Sequence, residues 1–412
     1  MNDDIYIVGV GMTPCGKFLH KSVKDLTREA VELALQDAGA DKQSVQAAYF
    51  ANAGQSAIEG QYMVGGQIAL REMGIGGIPV TNVENACASA STALHQAWVY
   101  LRAGMADVAL AVGAEKLYHH DKSKSFEVFN GAWDIDNVEA SRQALLAMGE
   151  GVTPPEGVQP QADVRSVFMD IYAALAKHHM KHNGTTERQI AAVAAKNHQH
   201  STANPLSQYR ASMTIDEVLA ARMISWPLTL PMCAPISDGS AAALLVRGEV
   251  LSKFDRSRAI RIDATVLASG SDRAFDDLQQ HVCHRAAKQA YEQAGIDPQD
   301  VSVAEVHDAT AFAEILQTEN LGLCEPGQGG WLAERGDTTL GGRIPVNPSG
   351  GLESKGHPIG ATGLGQIYEL VTQLRGDAGD RQVSGARVGI AENGGGFQGA
   401  EEAAACITIL SH

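Results

Sequence analysis

Asn85-Ala86-Cys87-Ala88-Ser89-Ala90-Ser91-Thr92-Ala93-Leu94 is the stretch on which the fold turns. A polar turn carries a cysteine, and a run of small residues then opens into a helix. Ala, Leu and Trp at helical spacing carry that helix through His95 to Arg102, and Gly104 marks its end. Residues 107–113 follow, short and apolar enough for a buried strand. Cys87 is therefore expected at a helix N-terminus, where free N–H groups and the helix dipole favour the thiolate over the thiol. Its small neighbours leave room for a substrate to reach the sulfur. The competing reading is a buried core cysteine, a common fate of a free thiol. A nucleophile also needs a base, which must come from elsewhere in the chain.

Outward from this stretch, strand and helix signals alternate. Residues 5–11 read as a buried strand ending in glycines, 24–38 as an amphipathic helix closed by Gly39, and 45–50 as a second strand. A glycine-punctuated connection containing a helix over 61–73 leads to a short strand at 80–83. This alternation predicts a mostly parallel sheet with helices on both faces. The character changes after Glu115. Residues 119–161 are polar, rich in Pro, Gly and charge, and lack a sustained period; helices are expected at 164–182, 186–200 and 216–221. The stretch reads as an insertion, of the kind that covers active sites. His178, His179, His182, His198 and His200 read as solvated helix faces rather than a metal site.

Residues 240–247 return to a core strand, 260–268 form another, and the chain then repeats itself. A helix ending Ala38-Gly39 and a following strand are echoed by Ala294-Gly295 and the strand at 301–306. The Cys87 loop, helix and strand are echoed by the loop at 350–356, a helix at 360–374 and a strand at 387–391. Equivalent loops of two related halves converge, which would bring Cys87 near His307 and His357. His307 stands at a strand end before the helix 312–321. His357 stands in Gly350-Gly351-Leu352-Glu353-Ser354-Lys355-Gly356-His357-Pro358, whose glycines allow close backbone approach, and is a credible base for a cysteine. Its spacing matches neither a P-loop nor a dinucleotide fingerprint. Glu392-Asn393-Gly394-Gly395-Gly396 ends a late strand. Its glycines offer N–H groups to an oxyanion, and Glu392 is either a surface carboxylate or, with a raised pKa, a proton shuttle.

Composition narrows the function further. The 412 residues carry a formal net charge of −16, which argues against nucleic acid and anionic membranes as partners. No apolar run is long enough for a bilayer span and no signal region opens the chain, so the cytoplasm is the expected compartment. The cysteines at 15, 87, 233, 283, 324 and 406 form no CxxC pair, so neither a disulfide framework nor a zinc site is indicated.

Taken in order, the four motifs around Cys87, His307, His357 and Gly394 resemble the thiolase superfamily over nearly the whole chain. His307, where other thiolases carry Asn, resembles the sterol-carrier-protein type. The resemblance implies a duplicated α/β fold of five layers, αβαβα, with an inserted loop domain. The expected boundaries are 1–118 plus 232–262 for the first half, 119–231 for the insertion and 263–412 for the second half. It implies acyl-CoA thioesters as substrates, coenzyme A as a substrate rather than a bound cofactor, no metal, and a homodimer or dimer of dimers. Cys87 would accept the acyl group, and His357 would take its proton and hold an oxyanion with His307. The N–H of Cys87 and one of Gly394 or Gly395 would hold a second oxyanion, and Ser269 would contact the pantetheine arm. Lys122, Lys124, Arg210 and Arg222 are the insertion's candidate cations for the phosphates. The chain departs from the family at one point: Glu392 stands where thiolases place a second cysteine. Glu392 or His307 would then do the acid/base work. The expected function is an acyl-CoA C-acyltransferase running thiolysis or Claisen condensation. The alternatives are a thiolase-like retro-aldolase working with a small accessory subunit, or a non-catalytic subunit of a complex.

Overall fold

The computed structural model describes residues 4–158, 166–399 and 401–412. The first half runs β1 (Ile5–Met12), α1 (Val23–Ala38), β2 (Ala47–Ala51), α2 (Gln55–Glu59), α3 (Gly65–Glu72), β3 (Val80–Val83), α4 (Ser89–Arg102) and β4 (Val108–Glu115). A long excursion follows, with α5 (Lys122–Asn130), α6 (Val138–Ala147), α7 (Val167–Asn183), α8 (Glu187–Ser201), α9 (Ile215–Ala220) and the small hairpin β5 (Met223–Ser225) and β6 (Leu228–Thr229). The chain re-enters the sheet as β7 (Gly239–Arg247). The second half runs β8 (Ile260–Ser269), α10 (Val282–Ala294), β9 (Val303–Glu305), α11 (Ala311–Asn320), α12 (Gly329–Glu334), α13 (Thr362–Arg375), β10 (Val388–Gly395) and β11 (Ala404–Ser411).

The repeat read from the sequence is present as topology. The large sheet has the order β3-β2-β4-β7-β1-β8-β11-β10-β9. In the first half β1 and β4 pair antiparallel with β7, and β2 pairs parallel with β4 and β3. In the second, β8 and β10 pair antiparallel with β11, and β10 pairs parallel with β9. A parallel bridge from Ala304 to Val346 stands where the fifth strand would be. The halves join through Tyr6 opposite Arg261 and Ile7 opposite Ile260. Both echoed helices end on a left-handed glycine, Gly39 at φ 60° and Gly295 at φ 70°.

Helix α1 packs on β1, β4 and β7, and α10 on β8 and β11. Helices α4 and α13 pack on each other and on strands of both halves, which makes them the middle layer. Their apolar faces, including Leu94, Leu101, Leu364 and Leu370, are fully buried in one core, each side chain contributing about 1.5–3 kcal/mol. The α4–α13 contact needs small residues. A Cβ on Gly363 would stand 2.5 Å from Asn393 Oδ1 and 2.6 Å from the Ser91 nitrogen.

Four expectations are corrected. The sheet is mixed rather than mostly parallel, because β7 and β11 return to its interior without a crossover helix. The helix expected at 61–73 is two helices, since Gly60 at φ 75° closes α2 and α3 starts at Gly65. Residues 119–161 are not featureless but hold α5 and α6, helices whose hydrophobic faces meet a cavity and α7 instead of a continuous core. The histidines of α7 and α8 are not all on solvated faces. His179 is buried because α7 packs against α11, where it meets Phe312 and Glu319, and His198 and His200 because α8 packs against α9, α11, α12 and the loop before His357. The expected insertion end at Gln161 and the helix start at Val164 lie outside the described residues.

Helix propensity alone favours Gly363→Ala by about 1 kcal/mol. The contact with Asn393 and Ser91 reverses the sign. Urea denaturation is expected to show Gly363→Ala destabilised by about 1–3 kcal/mol. Gly131→Ala, which meets only open space and one carbonyl at 3.6 Å, should stay within about 0.5 kcal/mol of the parent.

Candidate active site

The Cys87 turn is held by its own side chains. The Asn85 N–H donates to Ser89 Oγ (2.8 Å), Ser89 Oγ donates to the Ala86 carbonyl (2.6 Å), and the Ala86 N–H donates to Glu84 Oε1 (2.6 Å). Ala86 takes φ 48°, left-handed for a residue with a Cβ, a conformation that costs about 1–3 kcal/mol and recurs at functional sites. Cys87 follows in a single tight turn, Ala86–Ala88, that leads straight into α4.

The second half supplies the partners. His307 leaves the end of β9, and its N–H donates to Glu392 Oε2 (2.9 Å). His357 sits in the glycine-rich loop after Gly356, which takes φ 119° and where a Cβ would stand 2.6 Å from Cys15 Cβ, two reasons for a glycine there. The His357 N–H donates to Ser237 Oγ (2.9 Å). The His357 and His307 rings lie 5.2 Å apart between centroids. The Cys87 sulfur and one ring nitrogen from each histidine all lie within 4.8 Å of one another. Convergence of the two halves thus brings Cys87, His307 and His357 together.

The hydrogen bonds set the protonation. Thr362 Oγ1 donates to the Pro358 carbonyl (3.2 Å) and lies 2.7 Å from His357 Nδ1. Thr362 is therefore the acceptor of an Nδ1–H, which leaves the Nε2 lone pair free to take a proton. Burial, His307 and Lys355 hold His357 well below the usual histidine range, and burial lowers His307 to about 4. Both rings are neutral at pH 7, and neither nitrogen of His307 has a hydrogen-bond partner among the described residues.

Burial pushes the Cys87 thiol up to about 12, helped by the Glu115 carboxylate and opposed by the N–H groups of Gly396 and Cys87. The helix N-terminus does not win here: the group rests as a thiol at pH 7 and must be deprotonated as it reacts. Glu115, at the end of β4, accepts N–H groups from Ala53, Gly54 and Gly360 (3.0–3.1 Å). It pins the first half to the His357 loop. Burial still raises it to about 7.

The trio stands on the wall of a cavity of about 590 Å³. Most of the lining is apolar or aromatic, with Phe126 and Phe129 from α5, Phe168 from α7, and Ile224 and Leu230 from the hairpin region. Arg222 is the candidate phosphate cation that reaches this wall. The insertion therefore builds the side of the cavity that faces Cys87.

Four expected residues stand elsewhere. Gly394 and Gly395 do not face the sulfur. A Cβ on Gly395 would stand 2.2 Å from the Asn85 carbonyl and one on Gly394 2.7 Å from Glu402 Cγ, so both serve close packing. Gly396, at φ 65°, brings its N–H to Cys87. Glu392 is fully buried but points behind His307, where Oε1 accepts from Cys283 Sγ (3.4 Å). Ser269 lines a different cavity, of about 580 Å³, which shares Ala86, Ala132 and Gly396 with the catalytic one. The pairing of β8 with β11 carries Ser269 to the far side of that wall.

Among the described residues a second group with ligand-type atoms close together is His281, Cys283 and Glu402. His281 Nδ1 accepts the Cys283 N–H (3.2 Å), which places its proton on Nε2 facing Glu402 Oε2 at 3.5 Å. This is a hydrogen-bonded network. Sequence reading missed Glu115, Thr362 and Gly396. An acidic residue closing the apolar run 108–114 was the one available signal for Glu115.

Two measurements follow from these charges. Alkylation of Cys87 by iodoacetamide, read by peptide mapping, should rise about tenfold per pH unit from pH 7 to 9 without a plateau; a plateau near neutral pH would mean a resting ion pair with His357. Burial and Glu402 hold Glu392 protonated up to about 8, against an ordinary value of 4.5. The fold keeps a proton that the unfolded chain releases, so this contribution to stability is present below pH 4.5 and is lost as pH rises through 8. Melting temperature should therefore fall less between pH 5 and 9 in Glu392→Gln than in the parent; equal falls would refute a neutral Glu392.

Known proteins place this geometry. Residues 5–217 match the family model "Thiolase, N-terminal domain", and residues 265–411 match "Thiolase C-terminal domain-like". The chain is 36% identical to sterol carrier protein 2 of Bos taurus over 402 residues, covering 95% of this chain and 70% of that protein. It is 35% identical to an acetyl-CoA acetyltransferase of Methanothermobacter thermautotrophicus over 399 residues, 96% of this chain and 97% of that protein. Its fold matches the solved Ltp2-ChsH2(DUF35) aldolase with a TM-score of 0.77 over 99% of this chain and 98% of that one, at 23% identity. With two family models in series across both halves of the repeat, and relatives aligned over nearly its full length, this chain belongs to the thiolase family.

Proposed function

We propose that this thiolase-family protein is an acyl-CoA C-acyltransferase that cleaves 3-oxoacyl-CoA through an acyl-enzyme on Cys87. One observation carries the reading: the Cys87 sulfur and the ring nitrogens of His307 and His357 lie within 4.8 Å of one another on the wall of an apolar cavity. His357 Nε2 takes the thiol proton while sulfur attacks the 3-oxo carbon, so no resting thiolate is needed. General-base help of this kind supplies about 10²–10⁴ in rate. The N–H groups of Cys87 and Gly396 are the donors for the oxyanion that forms, each such donor being worth about 10²–10³. His307, neutral and with both nitrogens unpaired, is the donor for the thioester oxygen. Coenzyme A is a substrate in this scheme.

Retro-aldol cleavage is the second reading. It draws on Glu392, whose carboxyl faces away from the cavity, so position 392 supplies no second thiol next to Cys87. The retained Cys87–His357 pair favours acyl transfer. A second copy of the chain is the proposed partner: β3 is a sheet edge, and Tyr62 and Met63 nearby are 78% and 76% exposed.

Incubation with acyl-CoAs of increasing length, followed by intact mass and peptide mapping, tests the proposal. An acyl adduct should form on the Cys87 peptide and be absent from Cys87→Ala. If no acyl-CoA leaves an adduct, acyl transfer falls and the lyase reading takes its place.

A further inference from the structure

Several polar groups that the chemistry above does not use line the catalytic cavity, among them Tyr118, His198, Tyr209, Glu353 and Tyr172. Tyr172, from α7 of the insertion, lines the same cavity as Cys87, His307 and His357 and is only 4% exposed. Its hydroxyl makes no hydrogen bond with any described residue. Buried tyrosines ordinarily find a partner. Tyr291 in this chain donates to the Leu321 carbonyl at 2.9 Å, and Tyr118 is bonded to Gln208. The Tyr172 hydroxyl lies within electrostatic reach of Cys87, Glu392, Glu402 and Cys283. Burial and these neighbours hold it well above the usual range, so it remains a phenol with a proton to give.

Several other groups near the sulfur are committed, whereas Glu353 on the same wall holds Asn197 with one oxygen and leaves the other without a partner among the described residues. Glu392 binds the His307 N–H and Cys283 behind the cavity wall. Cys233, the second cysteine on that wall, turns its S–H to the Thr229 carbonyl (3.5 Å). His357 serves the Cys87 thiol. His307, lowered to about 4, is a poor base and a good neutral donor.

We propose that the Tyr172 hydroxyl carries the α-proton of the substrate, in the place left by the thiol that position 392 lacks. The proposal rests on the acyl-enzyme reading. When sulfur has added to the 3-oxo carbon, the C2–C3 bond breaks and its electron pair moves to C2 as the enolate of the departing acyl-CoA. The Tyr172 O–H breaks, a C2–H bond forms, and a phenolate is left. The incoming coenzyme A thiol then gives its proton to that phenolate, and its sulfur attacks the acyl carbon and releases Cys87. The phenol is restored, with no outside oxidant or reductant.

The test compares the parent with Tyr172→Phe in deuterated water. Mass spectrometry follows deuterium entering C2 of a bound acyl-CoA, and intact mass follows acylation of Cys87. Exchange should fall at least about 100-fold in the variant, while acylation stays within about threefold. Exchange that persists in the variant, or acylation that falls in parallel with it, overturns the proposal. So does a parent protein that exchanges no α-hydrogen. If the parent exchanges but forms no adduct, the acyl-enzyme reading falls on its own and the exchange comparison still decides the role of Tyr172. The hydroxyl has no hydrogen-bond partner among the described residues, so Tyr172→Phe should keep the parent's melting temperature. As a second probe, a fluorinated tyrosine at position 172 should move the pH profile of exchange to lower pH; an unmoved profile also overturns the assignment.

Discussion

Everything at this site depends on backbone approaching backbone where the two halves meet. A Cβ on Gly113 would stand 2.4 Å from the Gly360 carbonyl, one on Gly363 2.5 Å from Asn393 Oδ1, and one on Gly395 2.2 Å from the Asn85 carbonyl. No side chain fits at these points. Because none is there, the end of β4, the start of α13 and the end of β10 close around the Cys87 turn. That closure is what sets two histidines from one half beside a cysteine from the other. Protein interiors are packed too tightly to absorb such overlaps without shifting the elements themselves, and a shift here would separate the reacting atoms.

The same closure removes water, and its absence dictates the protonation of the site. Glu115, Glu392, Asp308 and Glu353 are fully buried and raised, the last two well above the carboxylate range by burial and by neighbouring carboxylates, Glu314 among them. Both histidines are lowered and the Cys87 thiol is raised. Desolvation outweighs the helix terminus, the N–H donors and the local cations throughout. A site of neutral groups does chemistry by passing protons along hydrogen bonds, not by keeping ions ready. In this light the Thr362–His357 contact matters more than any charge, since it leaves the accepting nitrogen free.

Much of this was legible in the order of residues. The duplicated topology follows from helix–glycine–strand units that occur twice, and the Cys87, His307 and His357 loops stand at equivalent strand ends. Other features were hidden for identifiable reasons. Strand direction at β7 and β11 carries no periodicity signal, so the sheet read as more parallel than it is. The period of α5 and α6 is obscured because part of their apolar surface lines a cavity rather than a core. His179, His198 and His200 look like solvated residues until α11, α12 and the loop before His357 cover them. Gly394, Gly395 and Gly396 are interchangeable as letters, and only the φ of 65° at Gly396 turns its N–H to the sulfur.

By itself the sequence determined the elements, their repetition and the chemical identity of the groups that react, because these depend on local periodicity, turn residues and side-chain type. The tertiary structure alone decided which groups face one another and in what state of charge. Glu392 faces away from the cavity and Ser269 behind its wall, although both precede or follow the right glycines. Tyr172 faces into it from a helix that no motif marked. Facing is set by packing between distant segments, and charge by how completely that packing excludes water. Neither quantity is a property of any short stretch of chain.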